Sequence, residues 1–281
     1  MEPHADTAQA LLERLEGFFD AVPRNGARAE DHGPLTLFIR EGSGWPFYAR
    51  PLRGWQGRPV TAADVSAVRA RQRELGVPEA FEWVAETAPG LRAAVEESGL
   101  EVHEYPLMVL VDDASATALD DPQEGVSVRM LTPGDEALAG ALAMPHVAFA
   151  APGTTVGAAG SAELAEVVES RAGDGSVERS TARIRAGLTG IAAALEEGDV
   201  LSSGQRNSVD GVSEVVAVGT LPAARRRGLG LAVTAALIAD ARAQGSEVVF
   251  LSASDDDVAR MYGRLGFRRV GTALTAEPAE A

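Results

Sequence analysis

Thr220-Leu221-Pro222-Ala223-Ala224-Arg225-Arg226-Arg227-Gly228-Leu229-Gly230 stands between two patterned segments of the chain. Before it, Val212–Leu221 reads as a strand; after it, Leu229–Gln244 repeats apolar residues at helical spacing. A strand-to-helix turn of this kind presents backbone N–H groups that have no intrahelical acceptor, at the positive end of the helix dipole. Glycine at 228 and 230 removes the β-carbons that would keep a diphosphate away from those groups. Arg225, Arg226 and Arg227 add positive charge in a chain of formal net charge −16. A dinucleotide fingerprint starting at Gly228 would need glycine where Val233 stands, and a Walker loop would need lysine, which the sequence lacks.

Outward from the turn, strands and helices alternate, the pattern of a mixed α/β fold. Val126–Met130 reads as a strand, and helices are expected over Asp135–Met144, Ala162–Ser170 and Arg179–Glu197. Val200–Ser202 is a further strand. Val248-Val249-Phe250-Leu251 has the composition of a buried strand. A short helix from Asp257 carries Val258, Met261 and Leu265 on one face, Gly266 stops it, and Phe267 opens a last strand. The first half ends in the same rhythm: strand Phe81–Val84, helix Pro89–Ser98, stop Gly99, strand from Leu100. Phe81 and Val248, like Leu100 and Phe267, are 167 residues apart. That constant offset predicts two related domains in tandem and places the helix Thr61–Glu74 opposite the one that follows Gly228. The acidic, small-residue run Asp112–Pro122 has no apolar periodicity and reads as the linker. The expected division is a domain over 1–112, a linker over 113–124 and a domain over 125–281.

Composition removes several function classes. There is no cysteine, so disulfides, thiolate metal sites and cysteine nucleophiles are absent. With no lysine, every basic residue is arginine and no lysine Schiff base is available; together with abundant alanine this suggests a GC-rich bacterial gene. The histidines, His4, His32, His103 and His146, are scattered without ligand spacing, so no metal is expected. The negative net charge argues against nucleic acid as a partner. The start lacks a basic leader, and the most apolar stretch, Ala137–Pro152, is too short to span a bilayer. A cytoplasmic protein with no membrane association, monomeric or homodimeric, is expected.

Thr220-x-Pro222-x-x-Arg225-x-x-Gly228-x-Gly230 resembles the coenzyme-A diphosphate motif of the GNAT superfamily of N-acetyltransferases. Tyr262-Gly263-Arg264-Leu265-Gly266-Phe267 is similar to the family's second landmark, a tyrosine followed by Leu-Gly-Phe, in the right order and at about the right spacing. The resemblance covers roughly Val126–Val270, and the first half in outline. It implies two GNAT-like domains, each a mixed, mostly antiparallel sheet flanked by helices. In the second domain a parallel strand pair, Glu214–Leu221 and Val248–Leu251, would splay to admit pantetheine.

From the resemblance, backbone groups at Val218, Gly219 and Thr220 would bind the pantetheine arm and polarise the thioester carbonyl of acetyl-CoA. Amides of Arg226, Arg227, Gly228, Leu229, Gly230 and Leu231 would hold the diphosphate, with Arg225 beside them. Tyr262 would return a proton to the leaving thiolate; the alternative is a ring packed in the core. Glu214 lies where many members carry a base, and alternation puts it on one strand face with Val216, Val218 and Thr220. A base is useful because uncovering the lone pair of an ammonium with pKa ~10.4 costs roughly 4–5 kcal/mol at neutral pH. Asp255 stands where members often carry asparagine and Val258 where they often carry alanine; Asp255 can still cap its helix and is counted with the cofactor residues.

The first half departs from the motif. Arg58 matches Arg225, but Thr61 and Ala63 replace Gly228 and Gly230, and Val95 replaces Tyr262, so one active site is expected. Trp45, Phe47, Tyr48, Trp55 and Trp83 are expected to pack in that half's core. The acceptor, a small-molecule or peptide amine, would be recognised between Asp135 and Gly198, where the glycine-rich loop Ala150–Gly160 reads as a lid or as simple disorder and His146, Glu163, Glu166 and Glu169 could face it. The implied activity is acetyl transfer in a ternary complex. A mycothiol-synthase-like transfer to a cysteinyl amine, and a non-catalytic acyl-CoA sensor, are the other readings.

Overall fold

The computed structural model describes residues 3–42, 44–111, 125–151 and 153–279. The linker expected over 112–122 lies outside the described residues. By contact the chain forms two compact units, one of Met1–Met108, Ser252–Ala259 and Arg269–Ala281, the other of Val109–Leu251 and Arg260–Arg268. The units therefore do not follow the chain as two uninterrupted segments.

The first unit contains α1 (Pro3–Arg24), β1 (Ala27–His32), β2 (Leu35–Arg40), β3 (Ala49–Pro51), α2 (Ala62–Leu75), β4 (Phe81–Val84), α3 (Leu91–Glu97) and most of β5 (Glu101–Leu110). Strands β1 to β3 pair antiparallel in sequence, while β3 and β4 are parallel and register at Ala49↔Phe81. Most of the last strand of the chain, β11 (Phe267–Glu277), belongs here too, antiparallel to β4 from Ala273↔Val84 to Ala276↔Phe81. Alternation on β2 and β4 turns Leu35, Leu37, Phe81 and Trp83 into a core shared with Val65, Val68, Val95 and Leu274. Of the aromatics expected there, Trp83 is 1% exposed, whereas Trp45 and Trp55 are 63% and 41% exposed. Those two sit on glycine-rich connections next to β3, outside any alternating strand, so no periodicity turns them inward.

Helix α2 begins as its sequence dictates. Thr61 is the N-cap, the Asp64 amide donates to its hydroxyl, and the Thr61 amide donates back to the Asp64 carboxylate at 2.9 Å. Gly76 ends the helix at φ 65°.

The second unit contains β6 (Val126–Met130), α4 (Leu138–Phe149), α5 (Ser161–Ser170), α6 (Ser176–Arg185), β7 (Thr189–Glu196), β8 (Asp199–Val209) and β9 (Val212–Thr220). A 3-10 turn (Pro222–Ala224), α7 (Leu229–Ala243), most of β10 (Val248–Ser252) and the second half of α8 (Asp256–Gly263) follow. Strands β6 to β9 form an antiparallel meander, and β10 lies parallel to β9.

The expected helix over Arg179–Glu197 is two elements. Gly187, at φ 71°, closes α6, and β7 begins at Thr189 with Ile191–Leu195 buried. A strand covered on both faces reads as an unbroken apolar run, and alanines then imitate a helix. Gly190 fits because a β-carbon there would lie 2.8 Å from the Asp240 carboxylate.

Helix α4 continues through Pro145, which cannot donate to the Ala141 carbonyl. The hydroxyl of Ser203 on β8 supplies that missing donor at 2.8 Å.

The tandem expectation is met element by element. Ala62 and Leu229 begin helices, Phe81 and Val248 begin strands, and Leu110 and Glu277 end strands, each pair 167 residues apart.

Candidate functional site

The parallel ladder between β9 and β10 has three registered pairs, Val248↔Val212, Val249↔Ser213 and Phe250↔Glu214, and then stops. Strand β9 runs on to Thr220 with β8 as its registered neighbour. Beyond Glu214 the edge of β9 that faced β10 has no registered strand among the described residues. This is the splay expected between 214–221 and 248–251.

Within that segment β9 bulges. Ser203 pairs with Gly219 and Gln205 with Val216, so Ala217 and Val218 stand against Gly204 alone. Ala217 takes φ 53°, the left-handed region that side chains disfavour. The bulge overturns the expectation that Glu214 shares a face with Val218 and Thr220. Glu214 lies opposite Asn207, which accepts from Arg183 of α6 at 3.3 Å, and a β-carbon on Gly219 would meet Ala148 of α4 at 2.9 Å. Val218 and Thr220 instead point toward α7, within 3.8 and 3.5 Å of a β-carbon built on Gly230. One extra residue thus puts the candidate base on one face of the strand and the residues beside the diphosphate turn on the other.

The turn itself is built on two left-handed residues, Arg226 at φ 67° and Gly228 at φ 76°. Nothing lies within 4 Å of a β-carbon placed on Gly228. Helix α7 starts at Leu229, and its first backbone bond runs from Ala232 N–H to the Gly228 carbonyl at 3.1 Å. Among the described residues, the N–H groups of Gly228, Leu229, Gly230 and Leu231 donate to no backbone or side-chain acceptor. Leu229, Leu231, Val233 and Leu237 are buried and fix the helix below the turn.

The three arginines, alike in sequence, have different surroundings. Arg225 donates to the carbonyls of Ala148 (2.8 Å), Ala151 (2.6 Å) and Thr155 (3.2 Å). Arg227 is paired with Glu196 at 2.6 Å. Arg226 is exposed, and its guanidinium has no partner among the described residues.

Tyr262 closes α8 and is 6% exposed, its ring edge-on to Phe267 with centroids 6.0 Å apart. Burial pushes its phenol up to about 12, countered by a hydrogen bond with Thr234. The Thr234 hydroxyl donates to the Gly230 carbonyl at 2.8 Å, so tyrosine, threonine and the first turn of α7 form one chain of contacts. Thr234 is a candidate site residue that the sequence reading missed; its one signal is a hydroxyl on an otherwise apolar helix face. Asp255 accepts from Val258 N–H at 2.8 Å, so it does cap α8, and by contact it belongs to the first unit.

The loop 150–160, expected as a lid, is fastened to the turn. Gly157 N–H donates to the Pro222 carbonyl at 3.0 Å and Ala223 N–H to the Ala159 carbonyl at 2.9 Å. The acidic and basic residues expected to face it have separate positions. Glu163 accepts from Gly160 N–H at 2.7 Å, and His146 lies 2.9 Å from Arg171; burial, and then the charge of Arg171, lowers the imidazole pKa. Glu169 lines a cavity of about 360 Å³ with Glu136, Asp199, Leu164, Val168 and Val200. Glu166 is exposed.

In the first repeat the matching turn is filled from within. Arg58 grips Asp64 through two bonds of 2.6 Å, and that carboxylate accepts from Thr61 N–H at the start of α2. These contacts hold the Asp64 carboxyl well below the usual carboxylate range. Val95, in place of Tyr262, is fully buried.

Residues 205–275 match the family model described as FR47-like protein. Among solved structures, a GCN5-related N-acetyltransferase from Kribbella flavida superposes with a TM-score of 0.62 at 22% identity, over 100% of this chain and 97% of that one. A GCN5-related N-acetyltransferase-like protein from Streptococcus suis gives 0.56 at 14% identity, over 95% and 97%. A tandem GNAT protein from the clavulanic acid biosynthesis pathway gives 0.54 at 16%, over 88% and 79%. No curated protein sequence matches the chain. These likenesses show the fold: it is that of the GNAT superfamily, in tandem.

Proposed function

We propose that this chain, built on the tandem GNAT fold, is an acetyl-CoA-dependent N-acetyltransferase acting on a primary amine of a small molecule or peptide, with its one active site carried by residues 125–281. The observation that carries the reading is the row of amides from Gly228 to Leu231, which donate to no acceptor among the described residues and start at a glycine with open space around it. A helix start in that state favours an anion with several oxygens, and the unpartnered Arg226 adds charge without a competing carboxylate. Arg58 and Asp64 remove the same possibility from the first repeat.

When bound, acetyl-CoA supplies an activated acyl group as a thioester. The edge of β9 beyond Glu214 holds the pantetheine arm, and amides near the bulge at Ala217 donate to the thioester carbonyl oxygen, where negative charge develops during attack. Glu214, directly or through water, takes the proton of the acceptor ammonium. The freed nitrogen lone pair forms the C–N bond as the C–S bond breaks, leaving the electron pair on sulfur. Tyr262 gives its proton to that thiolate and is reprotonated, through water, by the second proton that the nitrogen sheds as the amide forms; with a pKa raised to about 12 it carries that proton at neutral pH before the transfer.

The burial of Tyr262 and its bond to Thr234 favour a second reading, an acyl-CoA-binding module without turnover, in which the ring packs the core. Thiol release from acetyl-CoA, followed over a panel of amines, separates the two. The transferase reading expects amine-dependent release that falls about 10²–10⁴-fold in Tyr262→Phe at unchanged coenzyme affinity. Saturable coenzyme binding with no release from any amine supports the module instead, and release that Tyr262→Phe leaves untouched removes the tyrosine from the mechanism.

A further inference from the structure

Arg225 is the landmark arginine of the turn, yet its guanidinium is engaged by carbonyls of another segment. It spends its donors on the carbonyls of Ala148, Ala151 and Thr155. The Ala148 carbonyl is among the last four of α4, which lack intrahelical donors, so a cation arriving from 77 residues away in sequence caps that helix and meets its negative end. The two backbone bonds between 157–159 and the 3-10 turn complete the junction. A β-carbon on Gly157 would stand 2.9 Å from the Pro222 β-carbon, so the surfaces are in full contact. Arg225 thus follows the 3-10 turn at one end of the diphosphate loop and holds the loop between α4 and α5 at the other.

We propose that Arg225 is a positioning residue that transmits occupation of the diphosphate turn to the 150–160 loop, so that coenzyme binding orders the acceptor side of the site. This rests on the coenzyme-A reading given above. The physical basis is linkage. A ligand that fixes residues 226–231 also fixes Arg225, and the guanidinium carries that constraint to three carbonyls across the junction. By reciprocity an acceptor that orders the loop tightens the coenzyme by the same factor. Arg226 has no such duty and is left to meet the phosphate charge.

The test is amide hydrogen exchange across residues 153–160 of the full chain with and without saturating coenzyme A, alongside coenzyme affinity by titration calorimetry. In the native chain, the coenzyme should slow exchange in that segment at least threefold. Arg225→Ala should keep coenzyme affinity within about threefold and lose the protection. Arg225→Lys, which cannot reproduce the planar fork, should recover part of it. Arg226→Ala should lose about tenfold in affinity, more steeply at low salt, yet show full protection once saturated. Gly157→Ala, which pries the loop from Pro222 without altering residues 226–231, should behave as Arg225→Ala does and serves if that variant does not fold. Protection that persists in Arg225→Ala or Gly157→Ala overturns the proposal, as does a loss of affinity in Arg225→Ala equal to that in Arg226→Ala. A native chain that fails to bind coenzyme A overturns the function as well; one that binds it without protecting 153–160 overturns the coupling alone.

Discussion

Tyr262 is a core side chain that also belongs to the proposed site. Its ring packs on Phe267 while its hydroxyl meets Thr234 below the diphosphate turn. Burial raises the phenol from 10.0 to about 12, so the native state holds the proton more tightly than the unfolded chain does. The stability this contributes is complete below the unfolded value near 10 and is lost as pH rises through about 12. Chemical denaturation between those values should therefore show the native midpoint falling more steeply than that of Tyr262→Phe; parallel slopes would mean that the phenol is not desolvated. The tyrosine was visible in the sequence because Leu-Gly-Phe follows it. Thr234 was not, since one hydroxyl on an apolar helix face marks a polar contact without saying which group it meets. The arginines mark the same limit, because sequence gives three equal charges and only packing decides which of them is already spent on carbonyls or Glu196.

At the scale of elements, the turn between β9 and α7 depends on two glycines for different reasons. Gly228 needs its left-handed backbone, and Gly230 lies against Thr220 and Val218 without strain. Gly228→Ala should lose about 1–2 kcal/mol, the cost of an L-residue in that region. Gly230→Ala should leave the fold unchanged or firmer by roughly 0.5–1 kcal/mol, as alanine does inside a helix. Both should weaken coenzyme binding. Thermal melts and titration calorimetry on the pair check this, and a stability loss in both would show that the glycines serve folding rather than a ligand. Strand β7 and the bulge at Ala217 were the elements hardest to read. An all-buried, alanine-rich strand mimics a helix, and a bulge is a property of two paired strands that neither strand's sequence records alone.

For the whole molecule, the repeat offset of 167 residues carries the same order of elements through both halves, yet among the described residues the helix start after Gly228 keeps amides without acceptors while that after Thr61 is capped by Asp64. The Asp64 carboxylate under Arg58 stands at the start of α2, where the other repeat leaves amides unoccupied. One coenzyme A per chain is therefore expected in a calorimetric titration; two equivalent sites would show that Asp64 yields its place. Among the described residues, no helix is long and apolar enough to cross a membrane.

By itself the sequence determined the alternation of elements, the tandem repeat, the glycine turn ahead of a helix and the loss of that turn's glycines in the first half. Each of these is local, set by residue spacing, backbone freedom or capping within one segment. The tertiary structure alone decided that the last strand pairs mainly within the first unit, that the bulge turns Glu214 away from Val218 and Thr220, and that Arg225 holds a loop instead of standing open to a phosphate. Those outcomes depend on which distant groups meet, and pairing energies between segments far apart in the chain leave no periodic trace in either one.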